Sequence, residues 1–185
     1  NFIISVLRLR WLERLIIFPQ SKIWLRSYSR GTPFSDNGDV MATLKAIKTL
    51  GIKVSFKNKI CKVYGLGVNG FKYKKGIIIN AQNSGTLGRL IPGLLIDTPK
   101  PIKIIGDKSL SKRDFRRIAD PLSKFGANFT LKNGYGLPLT IKGSQKLKPI
   151  KFFEKKGSAQ CKSTVIFAGI KTNGKTIVKA KKSRN

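Results

Sequence analysis

The stretch Leu50-Gly51-Ile52-Lys53-Val54-Ser55-Phe56-Lys57-Asn58 is repeated, residue type for residue type, at Phe125-Gly126-Ala127-Asn128-Phe129-Thr130-Leu131-Lys132-Asn133. A shift of about 75 residues relates the two, and a fixed shift of that kind marks repeated structural units. Each copy reads as a helix end, a glycine stop, a strand and a turn. Further along, at nearly the same shift, a small polar cluster opens an apolar segment: Ser84-Gly85-Thr86 before Leu87, and Ser158-Ala159-Gln160 before Cys161. Both read as helix N-termini.

A helix start leaves backbone N–H groups without partners and carries the positive end of the peptide dipoles. Short hydroxyl or amide side chains there share a phosphate or carboxylate with the backbone, and a small residue such as Gly85 or Ala159 lets the anion come close. The plainer reading is N-capping by Ser84 and Ser158. Two matching sites in a strongly basic chain favour the anion.

Outward from these points the pattern predicts a helix over Val40 to Leu50, with apolar residues at Val40, Leu44, Ile47 and Leu50 and Gly51 as its stop. Short strands follow at Lys53 to Lys57, Ile60 to Tyr64 and Ile77 to Asn80, then the helix from Ser84 and a strand at Ile102 to Ile105. A helix is expected from Lys112 to Phe125, bent at Asp120-Pro121. Strands at Ala127 to Leu131 and Leu139 to Ile141 flank Asn133-Gly134, and Pro149 to Phe153, the helix from Ser158 and Ile177 to Lys179 close the series. The fold class is α/β, with strand–helix–strand–helix–strand–strand as the unit, entered part-way and cut off as a third copy begins. Residues 44–110 and 118–183 should superpose, with Ser84 and Ser158 on one edge.

Thirty-eight Lys and Arg against eight Asp and Glu give a formal charge of +30, so the partners are expected to be anionic: nucleic acid, anionic lipid or phosphorylated metabolites. Cys61 and Cys161 stand apart and there is no histidine, which leaves no material for a zinc site or a Cys–His nucleophile. No apolar run reaches the roughly 20 residues of a membrane span. Residues 1–38 are an atypical basic segment: Arg8, Arg10, Arg14, Arg26 and Arg30 cluster in a chain that otherwise prefers Lys, and there is no initiating Met. A surface helix, a targeting-like arm and sequence foreign to the fold are all open, and the composition favours the last. Residues 39–185 are expected to form the folded part, as two repeats over about 39–110 and 111–185.

Four segments, Asn80-Ala81-Gln82-Asn83-Ser84-Gly85-Thr86-Leu87-Gly88-Arg89, Gly106-Asp107-Lys108-Ser109-Leu110-Ser111-Lys112-Arg113, Gly157-Ser158-Ala159-Gln160-Cys161-Lys162-Ser163 and Lys182-Ser183-Arg184-Asn185, resemble in order the successive motifs of EPSP synthases. The resemblance implies two globular halves, each of three βαβαββ units in an inside-out α/β barrel. It implies transfer of the enolpyruvyl group of phosphoenolpyruvate to the 5-hydroxyl of shikimate-3-phosphate, in a cytoplasmic, monomeric enzyme of aromatic amino acid biosynthesis. No metal or organic cofactor, nucleic acid or membrane is implied.

Carried over by residue, Asn83, Gly85, Thr86, Arg113 and Gln160 would meet phosphoenolpyruvate. Ser158, Ala159, Gln160, Ser183 and Arg184 would meet shikimate-3-phosphate, and Arg89 would support the first site. Glycine at the position of Gly85 accompanies glyphosate sensitivity in the family. Asp114 stands where the family has Pro, and the N-terminal Lys-Ser and Arg motif that grips both substrates is not found in residues 1–34. The opposite half with its proton-transfer groups is also missing, so the chain resembles an internal fragment without catalytic residues of its own. Two other readings stay open. One is the sibling UDP-N-acetylglucosamine enolpyruvyl transferase, from which the Asn-Ser-Gly-Thr first site departs; the other is a ribosomal-protein-like nucleic-acid-binding module, suggested by charge alone.

Overall fold

The computed structural model describes residues 22–26, 38–57, 60–67, 70–155 and 157–180. They fall into two compact units, one within residues 1–72 and the other within 73–185.

In the first unit, helix α1 (Gly38–Thr49) precedes strands β2 (Lys53–Lys57) and β3 (Ile60–Tyr64). Its apolar face, Val40, Ala42, Leu44, Ala46 and Ile47, is buried, together with Leu50 just beyond its end. Gly51 ends the helix at φ +86°: its N–H donates to the Lys48 carbonyl and the Ile52 N–H to that of Ile47, at 2.9 and 3.0 Å. This paired closure takes a left-handed residue that glycine supplies without strain. Strand β1 (Lys22–Arg26) pairs antiparallel with β3, giving the sheet order β1-β3-β2. Part of the segment that composition sets apart therefore joins a sheet. The turn at Asn58-Lys59 lies outside the described residues.

The second unit runs β4 (Ile78–Asn80), α2 (Gly85–Leu94), β5 (Ile102–Ile105), α3 (Lys108–Ser111), α4 (Arg116–Ser123), β6 (Asn128–Lys132), β7 (Gly136–Lys142), β8 (Lys151–Glu154), α5 (Ala159–Gly169) and β9 (Ile177–Ala180). Strands β4 and β5 are parallel, as a strand–helix–strand crossover requires, and β5, β7 and β6 continue the sheet antiparallel in the order β4-β5-β7-β6. Residues 78–142 thus close one whole βαβαββ sheet. The parallel pair β8 and β9 begins the pattern again. Along the chain, α1-β2-β3-β4-α2-β5 and α4-β6-β7-β8-α5-β9 follow the same order.

The expected helix from Lys112 to Phe125 is not one helix. Asp107 caps the short α3 by accepting from the Leu110 N–H at 2.7 Å, and the Phe115 N–H then leaves the helical ladder for the Tyr135 carbonyl, also at 2.7 Å. Asp114 Oδ1 accepts from the Arg116 N–H and starts α4 afresh. A tertiary hydrogen bond overrides the local pattern here, and residues 112–115 become a turn. Strand β7 is longer than the expected Leu139 to Ile141 because it is paired on both edges.

The core of this unit is formed by Leu87, Leu90, Ile91, Ile102, Ile104, Leu110, Phe115, Ile118, Leu122, Phe125, Leu139 and Ile141, all fully buried. Helices α2 and α5 pack closely where Gly93 faces Thr164, and a Cβ on Gly93 would collide with the Thr164 carbonyl oxygen. Backbone cannot yield as a side-chain tip does. Gly93→Ala is expected to destabilise the chain by about 1–3 kcal/mol, read as a lower urea midpoint at unchanged slope.

Candidate anion-binding site

Two serines begin the site. Ser84, buried and extended at φ −72° and ψ 94°, accepts from the Leu87 N–H at 3.1 Å. Ser158, at φ −87° and ψ 111°, accepts from the Cys161 N–H at 3.3 Å. Both are N-caps, the plainer of the two sequence readings. Each cap satisfies one N–H of its helix and leaves the foremost ones to face outward. The Ser158 N–H itself donates to the buried Glu154 carboxylate at 2.9 Å.

Gln160 joins the two helix starts. Its Oε1 accepts from Arg89 Nη1 at 2.7 Å and its Nε2 donates to Thr86 Oγ1 at 3.2 Å. The first turns of α2 and α5 therefore lie side by side, on one edge. Arg113, in the turn between α3 and α4, reaches over the α2 start: a Cβ added to Gly85 would lie 2.9 Å from Arg113 Nη1 and 3.8 Å from Arg89 Nη1. Gly85 is thus where backbone N–H groups and two guanidiniums meet. Arg89 lies over the Phe115 ring, 6.0 Å from its centroid, and burial, then the charges of Arg113 and Arg117, pushes its pKa down. Like charges held this close favour the arrival of an anion.

Asp114, the neighbour of Arg113, reaches Arg116, and its charge is also felt at Arg89. Its carboxylate makes a two-pronged pair with Arg116, at 3.0 Å to Nε and 2.9 Å to Nη2. Asn83 donates to the Asp107 carboxylate. The Leu110 N–H first, and Asn83 second, hold that carboxyl below its ordinary range, so Asp107 stays an acceptor and fixes Asn83 beside the α2 start. Gly85, Thr86, Arg113 and Gln160 are brought together, with Asn83 tied to the neighbouring cap and Ser158 and Ala159 at the α5 start. Ser183 and Arg184 lie outside the described residues.

The sequence profile of EPSP synthase (3-phosphoshikimate 1-carboxyvinyltransferase) matches residues 30–184. The chain belongs to the EPSP synthase family. The 3-phosphoshikimate 1-carboxyvinyltransferase of Ruthia magnifica is 40% identical over 146 residues, 79% of this chain and 33% of the relative, and that of Streptococcus agalactiae serotype Ia is 40% identical over 149 residues, 80% and 35%. The EPSP synthase of Acinetobacter baumannii superposes with a TM-score of 0.80 at 31% identity, covering 94% of this chain and 39% of that one. The α/β fold is therefore that of EPSP synthases. The chain spans about a third of the length of the curated relatives it matches.

Two features of this EPSP synthase segment are absent from the sequence reading. The role of Gln160 as a bridge between helices needs the packing of α2 on α5, which no local pattern carries. Asp107 as a cap was visible in principle: an Asp three residues before the first buried apolar residue of a short helix is an N-cap signature. Among the described residues no group of three or more His, Cys, Asp or Glu could hold a metal ion, and no helix is long and apolar enough to cross a membrane.

Proposed function

We propose that this segment forms one wall of the substrate cleft of a 3-phosphoshikimate 1-carboxyvinyltransferase, which moves the enolpyruvyl group of phosphoenolpyruvate to the 5-hydroxyl of shikimate-3-phosphate and releases phosphate. The observation that carries the reading is Arg113 poised over Gly85 at a capped helix start, with Gln160 spanning to the second start. Arg113, the N–H groups of Gly85 and Thr86, and Asn83 receive phosphoenolpyruvate. Ser158 and Ala159 receive shikimate-3-phosphate with Ser183 and Arg184, and Gln160 stands between the two substrates. No metal or organic cofactor enters. Two repeats over about 39–110 and 111–185, a cytoplasmic location and a monomeric parent go with this reading.

Turnover needs charges from an opposite wall to enclose two phosphates and a carboxylate and to exclude water. Purified residues 1–185 are therefore expected to release no phosphate from the two substrates and to bind shikimate-3-phosphate only weakly, on the order of millimolar at physiological salt. A phosphate-release assay beside isothermal titration checks this, and turnover abolished by Arg113→Ala would overturn the two-walled account. Tight RNA binding with a steep salt dependence, outcompeting shikimate-3-phosphate, would favour the nucleic-acid reading instead.

The crowding at Gly85 bears on inhibition. In a full-length enzyme carrying this segment, Gly85→Ala puts a methyl group 2.9 Å from Arg113 Nη1, where the guanidinium must move aside. Glyphosate inhibition is expected, and its inhibition constant should rise more than the KM for phosphoenolpyruvate. Equal rises in both would refute the steric account.

A further inference from the structure

Helices α2 and α5 run in the same direction, joined at their starts by Gln160 and in close contact at Gly93 and Thr164. Their far ends are also tied. Lys171, just past the α5 C-cap Ile170, places Nζ 2.9 Å from Oδ2 of Asp97, two residues past the α2 C-cap Leu95. The Lys171 side chain is only 2% exposed and that of Asp97 is 26% exposed. Lys171 suits a helix C-terminus, but a carboxylate just beyond the negative end of α2 does not; Asp97 is therefore not there for its own helix. Its backbone carbonyl accepts from Gln145 Nε2 at 2.8 Å, which fixes the loop that carries it.

A buried ion pair is a weak source of net stability and is better suited to fixing register. Sliding α5 along α2 by one residue would move it about 1.5 Å, more than the roughly 1 Å misplacement that already costs a site much of its efficiency. Resting on the anion-site reading above, we infer that Lys171 and Asp97 are a positioning pair. They set the height of α5 against α2 and so hold the Gln160 amide between Thr86 and Arg89, at the opposite end of both helices.

The test uses the 185-residue chain labelled with nitrogen-15. Gln160→Glu identifies the Gln160 side-chain NH2 resonances, and phosphoenolpyruvate is the titrant. In Lys171→Met those resonances should move toward free-amide positions and phosphoenolpyruvate binding should weaken about 5-fold; Lys171→Arg, which keeps the pair, should restore both. If Lys171→Met fails to fold, Asp97→Asn carries the same expectation. Unmoved Gln160 resonances in a folded variant of lowered Tm would overturn the inference and leave the pair purely structural. A wild-type chain that does not bind phosphoenolpyruvate would count against the anion site alone, since the resonances still report whether the pair positions Gln160.

Discussion

Arg113→Ala, in a full-length enzyme carrying this segment, is expected to lower kcat/KM for phosphoenolpyruvate by about 10²–10³-fold, the usual loss when one fixed donor to a developing or bound anion is removed. The guanidinium lies over the start of α2, with Nη1 crowding the space above Gly85. Arg113→Lys should recover only part of the loss, because an ammonium offers a point charge and not the planar two-pronged fork. Steady-state kinetics on the three enzymes decide the matter. A kcat/KM within twofold of wild type for the alanine variant would mean that Arg89 and the helix start suffice, and that Arg113 is a bystander.

Phe115→Ala is the stability counterpart, with an expected loss of about 3–5 kcal/mol, a large share of the 5–15 kcal/mol that domains generally possess. Phe115 is fully buried, and its ring edge faces Gly88, whose missing Cβ would lie 3.4 Å away. The same ring carries Arg89 on its face. Removing it should therefore lower the urea midpoint of the 185-residue chain and also release the guanidinium that donates to Gln160. A loss below about 1 kcal/mol would show that the surroundings collapse into the cavity and that the ring is not a keystone of this packing.

Much of this architecture was legible because it is local. The Asn133-Gly134 turn takes positive φ at both residues, 52° and 76°, a conformation that this dipeptide adopts readily, within a three-residue connection from β6 to β7. Gly51 stops its helix, and Ser84 and Ser158 cap theirs, for reasons contained within five residues. What could not be read depends on contacts across the sequence. The break at residues 112–115 needs the Tyr135 carbonyl, and the bridge from Gln160 to Thr86 and Arg89 spans more than seventy positions. That the Asp114 carboxylate pairs with Arg116 was likewise not legible from its place beside Arg113. The strand at Lys22–Arg26 follows from pairing with β3, not from any periodicity of its own.

The hydrogen bond from Phe115 to Tyr135 extends the site's vulnerability to a hairpin that carries no charge for it. Gly136, the residue after Tyr135, lies so close to the Ser111 carbonyl that a Cβ would collide with it. Ser111 precedes Arg113 by two positions, in the turn that aims the guanidinium. Drift at the hairpin is thereby constrained by the placement of Arg113. Substitutions at Gly136 should be purged from functional lineages as strictly as substitutions at the arginine itself, even though glycine has no side chain to offer a substrate.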